Sequence, residues 1–297
     1  MERAKDHSNF IMSSVEYISY KGILFPSVCY SLETFDQVQN EFQILDDDVI
    51  TVTYPKSGTH WTAEILGLIS QKGDPTYIHS VPMWERSPWI DIDNGLKQAL
   101  QNPPPRLLNS HLPFQLFPKS FLQTKAKVIY TLRNPKDVLV SFYHFAKIMK
   151  ILKTPGSMQE HLDEFLTGKV AYGSWFDHVK GWMELKGRPN FFYITYEELL
   201  QDLRGSVEKI CHFLGKELNS QQLDSVVEYA SFRKMKENKM SNLTLLGDRL
   251  VDHTKGELMR KGISGDWKNH LTVAQNEYFD RIYRENMQNM RTTFPWD

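Results

Sequence analysis

The sequence predicts an α/β protein with a central, mainly parallel sheet flanked by helices. Short runs of β-branched and aromatic residues alternate with longer segments of helical period, which is the pattern of such folds. The run KVIYTL at residues 127–132 is apolar or β-branched almost throughout, as is typical of a strand buried on both faces of a parallel sheet. A chain of 297 residues with 41% hydrophobic residues can bury a large core. We expect a single domain over residues 1–297, of which residues 1 to about 19 form a loose leader.

The predicted elements follow one another along the whole chain. Strands are predicted at residues 49–54, 106–110, 127–132 and 191–196. Helices are predicted at residues 32–42, from about 61, from Pro135, and at 157–167, 173–186, 204–214, 220–230 (with Ser220 as the cap) and 271–288. Three segments are not expected to form regular elements: residues 20–26, 79–91 and 236–262. We expect the first to be a docked surface segment, the second to be a packed loop or the wall of an apolar pocket, and the third to be a long loop that becomes ordered on binding.

Composition and charge exclude several classes of protein. The formal net charge is −1, so no general affinity for nucleic acid is expected and any anion site must be local. Two cysteines do not make a disulfide framework, which suits a reducing compartment. The N-terminal residues lack the apolar core of a signal peptide, and no apolar run reaches the ~18 residues that span a membrane. We therefore expect a cytosolic protein.

One strand–turn–helix unit, residues 49–71, has the composition of an anion site. Pro55 stops the strand because it has no N–H to donate, and the helix is predicted from about Trp61. The turn between them contains a cation, two hydroxyl groups and a glycine: Lys56, Ser57, Gly58 and Thr59. Backbone N–H groups and the positive end of the helix dipole converge there, which predicts a P-loop-like phosphate-binding loop. It is not a Walker A loop, since the first glycine is missing; an ordinary turn with an exposed lysine is the alternative.

Other candidate residues follow the later strands. Arg133 leaves the strand at 127–132, and Ser141 lies two turns into the next helix; such an arginine is often only a solvated loop charge. His111 ends the strand at 106–110 and could transfer protons near neutrality, although a lone histidine is more often structural. The segment RKGISGDWK at 260–268 pairs two cations with two glycines, which suits either a solvated surface or a second phosphate clamp.

Together these motifs resemble those of the cytosolic sulfotransferases, over nearly the whole chain. The segment TYPKSGTHW at 53–61 resembles the family's 5′-phosphosulfate loop, RNPKDVLVS at 133–141 its 3′-phosphate segment, and RKGISGDWKN at 260–269 its C-terminal motif. Further segments are most similar to the alcohol or hydroxysteroid branch: WERSPW at 84–89, SHLPFQLFPKS at 110–120, YGSWFDH at 172–178 and MKENKMSN at 235–242.

The resemblance implies transfer of a sulfuryl group from 3′-phosphoadenosine 5′-phosphosulfate (PAPS) to the hydroxyl of a small apolar acceptor, such as a hydroxysteroid, bile alcohol or xenobiotic alcohol. It implies His111 as the catalytic base and Lys56 as the cation at the leaving phosphate, with 3′-phosphoadenosine 5′-phosphate (PAP) as the product and no metal. It assigns the 5′ end of the donor to Lys56, Ser57, Gly58, Thr59, His60 and Trp61, with Trp61 near the adenine. It assigns the 3′-phosphate to Arg133, Ser141, Arg260, Lys261 and Gly262, and the nucleoside to Tyr196, Ser231, Phe232 and Met235. Trp84, Phe145 and Met149 match acceptor-pocket positions.

The chain departs from the family's pattern in a few places. His60 stands where the family usually has Asn or Thr, and in the acceptor region Leu243 and Val28 replace an aromatic and a longer side chain. The segment KNHLTVAQNE resembles the family's dimerisation motif, which implies a homodimer through Lys268, Thr272, Val273 and Glu277; a capped helix start is the plainer interpretation.

Two other functions are weighed against the enzyme. A P-loop-type nucleotide kinase is disfavoured by the missing Walker A glycine and by the lack of a recognisable magnesium carboxylate, and no Cys/His ligand cluster indicates a metal. A catalytically silent nucleotide-binding protein is disfavoured by the presence of both Lys56 and His111.

Overall fold

The computed structural model describes residues 15–297 and contains the predicted parallel sheet. The first two strands form a separate hairpin: β1 (Tyr17–Tyr20) and β2 (Ile23–Pro26). The central sheet has four parallel strands in the order β4-β3-β5-β6: β3 (Val49–Val52), β4 (Leu107–Ser110), β5 (Lys127–Leu132) and β6 (Phe191–Thr195). All four predicted strands of the sheet are therefore confirmed.

Helices surround this sheet and connect its strands. Before β5 they are α1 (Leu32–Asn40), α2 (Thr59–Ser70), α3 (Thr76–Ser80), α4 (Met83–Arg86) and α5 (Asp93–Gln101). After β5 they are α6 (Pro135–Ile148), α7 (Met158–Leu166), α8 (Trp175–Met183), α9 (Tyr196–Gln201), α10 (Leu203–Leu214), α11 (Ser220–Tyr229), α12 (Phe232–Glu237) and α13 (Val273–Met287). Short 3₁₀ turns occur at Phe114–Leu116, Lys119–Gln123 and Asp266–Asn269.

The register of the sheet brings the carboxyl ends of its strands to one edge. Val52, the last residue of β3, pairs with Ser110, the last of β4, and with Tyr130 of β5. Leu132, the last residue of β5, pairs with Thr195, the last of β6. Because β3 lies between β4 and β5, the chain leaves it at a switch point, where open α/β sheets bind their ligands.

Side chains alternate between the two faces of the sheet and build two cores. On β5, Val128 and Tyr130 belong to the larger core, whereas Ile129 belongs to a second core with the apolar face of α2. This alternation is the period of two that a strand imposes, and here both faces are covered. The phosphate-loop strand and the helix that follows it are thus fixed by packing on both sides.

A buried ion pair ties α2 to α4. The Nη2 atom of Arg86 bonds to the Glu64 carboxylate and, at 3.0 Å, to Ser241 Oγ. Ser241 Oγ donates in turn to Glu64, and Asn238 donates to the other Glu64 oxygen at 3.2 Å. Both charged side chains are fully buried, so each depends on the other for compensation of its charge.

None of the helices within residues 15–297 is long and apolar enough to cross a membrane.

The N-terminal region differs from its prediction. Residues 1–14 of the predicted leader lie outside the described residues, but the leader cannot extend to residue 19, because β1 begins at Tyr17. The prediction that residues 20–26 form only a docked surface segment is also wrong, because this segment contains β2 of an antiparallel hairpin. Phe25 of that strand is fully buried against Phe35, with ring centroids 4.5 Å apart. Long-range aromatic packing, which local sequence does not reveal, fixes this hairpin.

Several predicted boundaries are corrected by local capping and packing. The strand predicted at 49–54 ends at Val52, and the following helix begins at Thr59 rather than near residue 61. Residues 79–91 contain regular structure, because α3 ends and α4 lies within them. Ser220 is not the cap of α11: the Asn219 side chain accepts from the backbone of Gln222, whose side chain accepts from Asn219 N–H.

Candidate active site

The predicted phosphate loop forms an open, N–H-rich turn at the start of α2. Lys56 and Gly58 have left-handed backbone conformations, with φ of 70° and 116°. Gly58 occupies the N-cap position of α2. It has no side chain that could accept a hydrogen bond from the first N–H groups of the helix. A Cβ on Gly58 would lie 3.2 Å from the Tyr196 ring. The Ser57 hydroxyl is buried and has no hydrogen-bond partner among residues 15–297. A buried orphan hydroxyl beside open N–H groups fits an anionic group that binds there.

Lys56 is a half-buried cation that lacks a counter-charge in the described part of the chain. Burial, followed by the nearby charges of Arg133 and Arg260, lowers the pKa of Lys56 to about 7. Its Nζ atom lies 4.0 Å from the centroid of the Phe145 ring, and no carboxylate bonds to it within residues 15–297. An anion bound at this turn would favour the charged form of the lysine and raise its pKa again.

Arg133 crosses from the end of β5 to the loop. Its two Nη atoms donate to the carbonyls of Lys56 at 3.2 Å and Ile263 at 2.9 Å, and its guanidinium lies 4.2 Å from the centroid of the Tyr196 ring. The Nε atom is buried and has no partner among the described residues. One guanidinium thus joins the predicted phosphate loop to the C-terminal motif.

Aromatic side chains from two segments lie together among the residues predicted to hold the nucleoside. The rings of Trp61 and Tyr196 meet edge to face at 5.1 Å, and the Trp61 N–H donates to the Ala230 carbonyl at 2.8 Å. Gly262, with φ of 68°, lies against Phe232, because a Cβ there would fall 2.2 Å from the ring. The structure thus brings these predicted nucleoside residues and the C-terminal motif together. Ser231 precedes α12, and Met235 is buried within it.

The C-terminal cations are paired within the chain. Arg260 and Lys261 bond to opposite oxygens of Asp266 at 2.7 and 2.6 Å, and His270 approaches the same carboxylate at 3.2 Å. Against the effect of burial, hydrogen bonds from Lys261, Asn269 and Arg260 hold the pKa of Asp266 well below its usual range. Both cations of the clamp predicted at 260–268 are therefore held in place by one carboxylate. Ser141 is half-buried on α6, near the middle of that helix.

His111 follows β4 directly, and its hydrogen bonds fix one tautomer. Its Nδ1 atom lies 2.9 Å from the Thr53 carbonyl, which can only accept, so Nδ1 carries the proton and Nε2 keeps the lone pair. Burial is the main cause that lowers the pKa of His111 to about 4, and the Lys56 charge adds to it. The ring is thus neutral at physiological pH, and Nε2 carries the lone pair that can accept a proton.

Thr53 links this histidine to the phosphate loop. Its carbonyl accepts from His111, and its hydroxyl lies 2.6 Å from the Thr59 hydroxyl at the start of α2. His111 and the predicted phosphate loop are therefore joined through the one residue that directly follows β3.

Three further residues around His111 were missed by the sequence analysis. Asp91 accepts from the backbone N–H of His111 at 3.3 Å, and burial raises the pKa of that carboxyl to about 6. His178 Nε2 lies 3.2 Å from the His111 carbonyl. The Trp89 indole N–H donates to His111 Nε2 at 3.1 Å. All three come from segments distant in sequence, and their residue types alone gave no signal.

His60 lies between the phosphate loop and this group. Burial and the Lys56 charge lower the pKa of His60 to about 3, so the ring is neutral. Its Nε2 atom is buried without a partner among the described residues, and its ring centroid is 5.4 Å from that of Trp89. The unusual residue of the loop thus packs beside the indole that contacts the base.

The predicted acceptor residues separate into two places. Phe145 and Met149 line a narrow cavity that residues 242–258 close, with backbone bonds from Lys150 N–H to the Leu250 carbonyl at 2.8 Å and from Asp252 N–H to the Ile148 carbonyl at 2.7 Å. Leu243 also lines it. Trp84 is not among the residues that line this cavity; it packs instead with Ala63, Met83 and Trp89.

The residues of the predicted dimer motif lie around the start of α13. Thr272 caps the helix in a reciprocal pair with Gln275, so the plainer interpretation of the motif is correct for that residue. Val273 is 75% exposed. Within residues 15–297 no group of three or more His, Cys, Asp or Glu side chains is placed to hold a metal ion.

Comparison with known proteins identifies the family. The sulfotransferase domain model matches residues 46–291. Human sulfotransferase 2B1 is 54% identical over 282 residues, which cover 95% of this chain and 77% of that protein. The 3-beta-hydroxysteroid sulfotransferase of Cavia porcellus is 51% identical over 280 residues, or 94% of this chain and 97% of that one. The crystal structure of mouse sulfotransferase SULT7A1 complexed with PAP matches with a TM-score of 0.77 at 32% identity, over 93% of this chain and 96% of that chain.

The chain therefore belongs to the sulfotransferase family. The predictions of this family, of its α/β fold with a P-loop-like loop, and of a PAPS-dependent sulfotransferase are confirmed. The roles of individual residues stay predictions.

Proposed function

We propose that this sulfotransferase transfers the sulfuryl group of PAPS to the hydroxyl of a small apolar alcohol, with His111 as the general base. The observation that carries the proposal is the link through Thr53, which joins the base to the turn that would hold the phosphosulfate. A hydroxysteroid, bile alcohol or xenobiotic alcohol is the expected acceptor. The relative from Cavia porcellus, named a 3-beta-hydroxysteroid sulfotransferase, supports the steroid class.

The donor supplies an activated sulfuryl group on a phosphate leaving group. Orphaned polar atoms of this chain support its binding: Ser57 Oγ at the phosphate loop and Arg133 Nε beside the C-terminal motif. Lys56, together with Ser57, Gly58, Thr59, His60 and Trp61, would hold the 5′ end. Arg133, Ser141, Arg260, Lys261 and Gly262 would hold the 3′-phosphate, and Tyr196, Ser231, Phe232 and Met235 the nucleoside. The mouse SULT7A1 structure contains PAP, which supports PAPS as donor and PAP as product.

The chain's own groups perform two tasks in the reaction. His111 Nε2 takes the acceptor's proton, since an alcohol's pKa lies far above neutrality and the proton must leave as the new bond to sulfur forms. Lys56 offsets the charge that develops on the leaving phosphate. A cation at this position would perform the role that a metal ion often has in phosphoryl transfer, so we propose that no metal takes part.

The acceptor would lie near Phe145 and Met149. Both line the narrow cavity under residues 242–258, and Phe145 also contacts Lys56. Trp84 would contribute from the neighbouring cluster with Trp89. Aromatic and methionine side chains adapt to bulky apolar ligands, which favours neutral alcohols over charged amines.

We further propose a homodimer in a reducing compartment, the cytosol. The exposed Val273 is central to the motif, and an isologous contact would set Lys268 against Glu277 of the second copy, with Thr272 capping the helix. Cys29 and Cys211 are both free thiols, which supports a reducing environment.

The experiment that tests the function is an acceptor panel with labelled donor. We expect sulfation of neutral hydroxysteroids or other apolar alcohols, with lower kcat/KM for catecholamines. Thermal stabilisation by PAP, compared with ATP and Mg²⁺, tests the kinase alternative, because a ligand that binds only the native state raises its melting temperature. Stabilisation by ATP and Mg²⁺ but not by PAP, with no sulfated product, would overturn the proposal.

A further inference from the structure

The hydrogen bond between Trp89 and His111 occupies the atom on which the proposed reaction depends. The Trp89 indole N–H donates to His111 Nε2 at 3.1 Å. The other ring nitrogen is committed to the Thr53 carbonyl at 2.9 Å. In this state neither nitrogen of His111 is available, and an acceptor hydroxyl must displace the indole before it can give up its proton.

The backbone of Trp89 is fixed, so only its side chain can leave. Ile90 N–H bonds to the Asn109 carbonyl at 3.0 Å, and Asn109 N–H to the Pro88 carbonyl at 2.8 Å, which attaches residues 88–90 to the edge of β4. Gly95 lies against the Trp89 carbonyl, because a Cβ on it would fall 2.0 Å from that oxygen.

The indole lies outside the two large cores of the sheet. Trp89 is 9% exposed and packs in a small cluster with Ala63 and Met83, separate from the two large cores of the sheet. The neighbouring His60 ring has a buried Nε2 without a partner in the described residues. Displacement of the indole therefore affects the packing of this small cluster rather than that of the two large cores.

If His111 Nε2 were free while the donor is bound without an acceptor, water could react in place of the alcohol. A water molecule at His111 Nε2 would be placed like an acceptor hydroxyl. Its oxygen would bond to the donor's sulfur, the bond between sulfur and the bridging phosphate oxygen would break, and the water proton would pass to Nε2. The products would be inorganic sulfate and PAP, so the donor would be consumed without an acceptor.

We propose that Trp89 is a positioning residue that protects the donor from hydrolysis: its indole N–H holds the basic nitrogen of His111 until an acceptor hydroxyl replaces it. This inference rests on the proposed role of His111. An apolar acceptor that packs against the displaced indole offsets the lost hydrogen bond, whereas water offers no such contact. Trp89 thus favours transfer to bulky alcohols over transfer to water.

The test compares sulfate release from PAPS alone by the wild-type protein and by Trp89→Phe. Phe keeps an aromatic ring in the cluster but has no N–H, so acceptor-independent hydrolysis should rise roughly fivefold to tenfold, the factor expected for one hydrogen bond. The matched control is Trp175→Phe, because Trp175 is fully buried and its indole N–H has no partner among residues 15–297. That control should leave hydrolysis unchanged.

The double variant Trp89→Phe/His111→Asn separates base catalysis from a merely loosened site. Its hydrolysis should fall back to or below the wild-type rate, since the exposed base is gone. Thermal stabilisation by PAP shows that each variant is folded. Hydrolysis by a PAP-stabilised Trp89→Phe protein equal to that of the wild type, or equally fast in the double variant, would overturn the inference. Sulfation of alcohols by the wild-type protein in the same assay reports on the proposed function separately.

Discussion

Binding of the donor product PAP should be coupled to proton uptake by Lys56. In the ligand-free protein the pKa of Lys56 is lowered to about 7, mainly by burial and further by Arg133 and Arg260. At pH 8 about nine-tenths of the molecules would therefore carry a neutral Lys56. A bound phosphate favours the charged form and raises this pKa again, so binding at pH 8 should take up close to one proton. Affinity should consequently fall about tenfold per pH unit above pH 7.

Isothermal titration calorimetry with PAP in buffers of different ionisation enthalpy measures this uptake. A pH between 7.5 and 8.5 is suitable, because phosphate groups with a second pKa of about 6 are already ionised there. Lys56→Met should bind more weakly and take up no proton from this site. Lys56→Arg, which stays charged at all these pH values, should bind without the pH dependence. No proton uptake by the wild type, or equal uptake by Lys56→Met, would refute the assignment of Lys56 as the cation at the 5′-phosphate.

Three other predictions concern the rest of the site and the fold. Arg133→Ala and Arg260→Ala should each weaken PAP binding by ~1.5–3 kcal/mol, with little effect on the binding of adenosine 5′-phosphosulfate. Equal losses of affinity for the two nucleotides in calorimetry would show that these arginines do not recognise the 3′-phosphate. Val273→Glu should give active monomers by light scattering, whereas an unchanged dimer mass would locate the interface elsewhere. Glu64→Gln leaves Arg86 buried without its counter-charge and should cost ~3–5 kcal/mol in urea unfolding; a loss below ~1 kcal/mol would contradict the buried pair.

The sheet and the phosphate loop could be predicted because their signals are local. A strand buried on both faces, such as β5, must be apolar throughout, and its predicted bounds match those of the structure. The turn after β3 combines a cation, a glycine and a helix start within a few residues. The hairpin of β1 and β2 could not be predicted in this way, because it depends on the contact of Phe25 with Phe35 rather than on its own sequence.

The contacts that complete the site arise from the fold. Trp89 and His111 are 22 residues apart and meet only because residues 88–90 attach to β4. Likewise, the sequence showed Arg260 and Lys261 as a possible phosphate clamp but did not show that Asp266 pairs with both. That pairing requires the turn between them, where Gly262 and Gly265 adopt positive φ.

The turnover of His111→Asn tests the central claim most directly. Asn cannot accept a proton from an alcohol, so kcat at saturating donor and acceptor should fall by about 10²–10⁴-fold, the usual contribution of a general base. PAP affinity should stay close to that of the wild type, because His111 lies outside the predicted nucleotide contacts. The variant must first show an unchanged melting temperature. A large loss of kcat in that folded protein is the result that this account predicts, and near-normal turnover would contradict it.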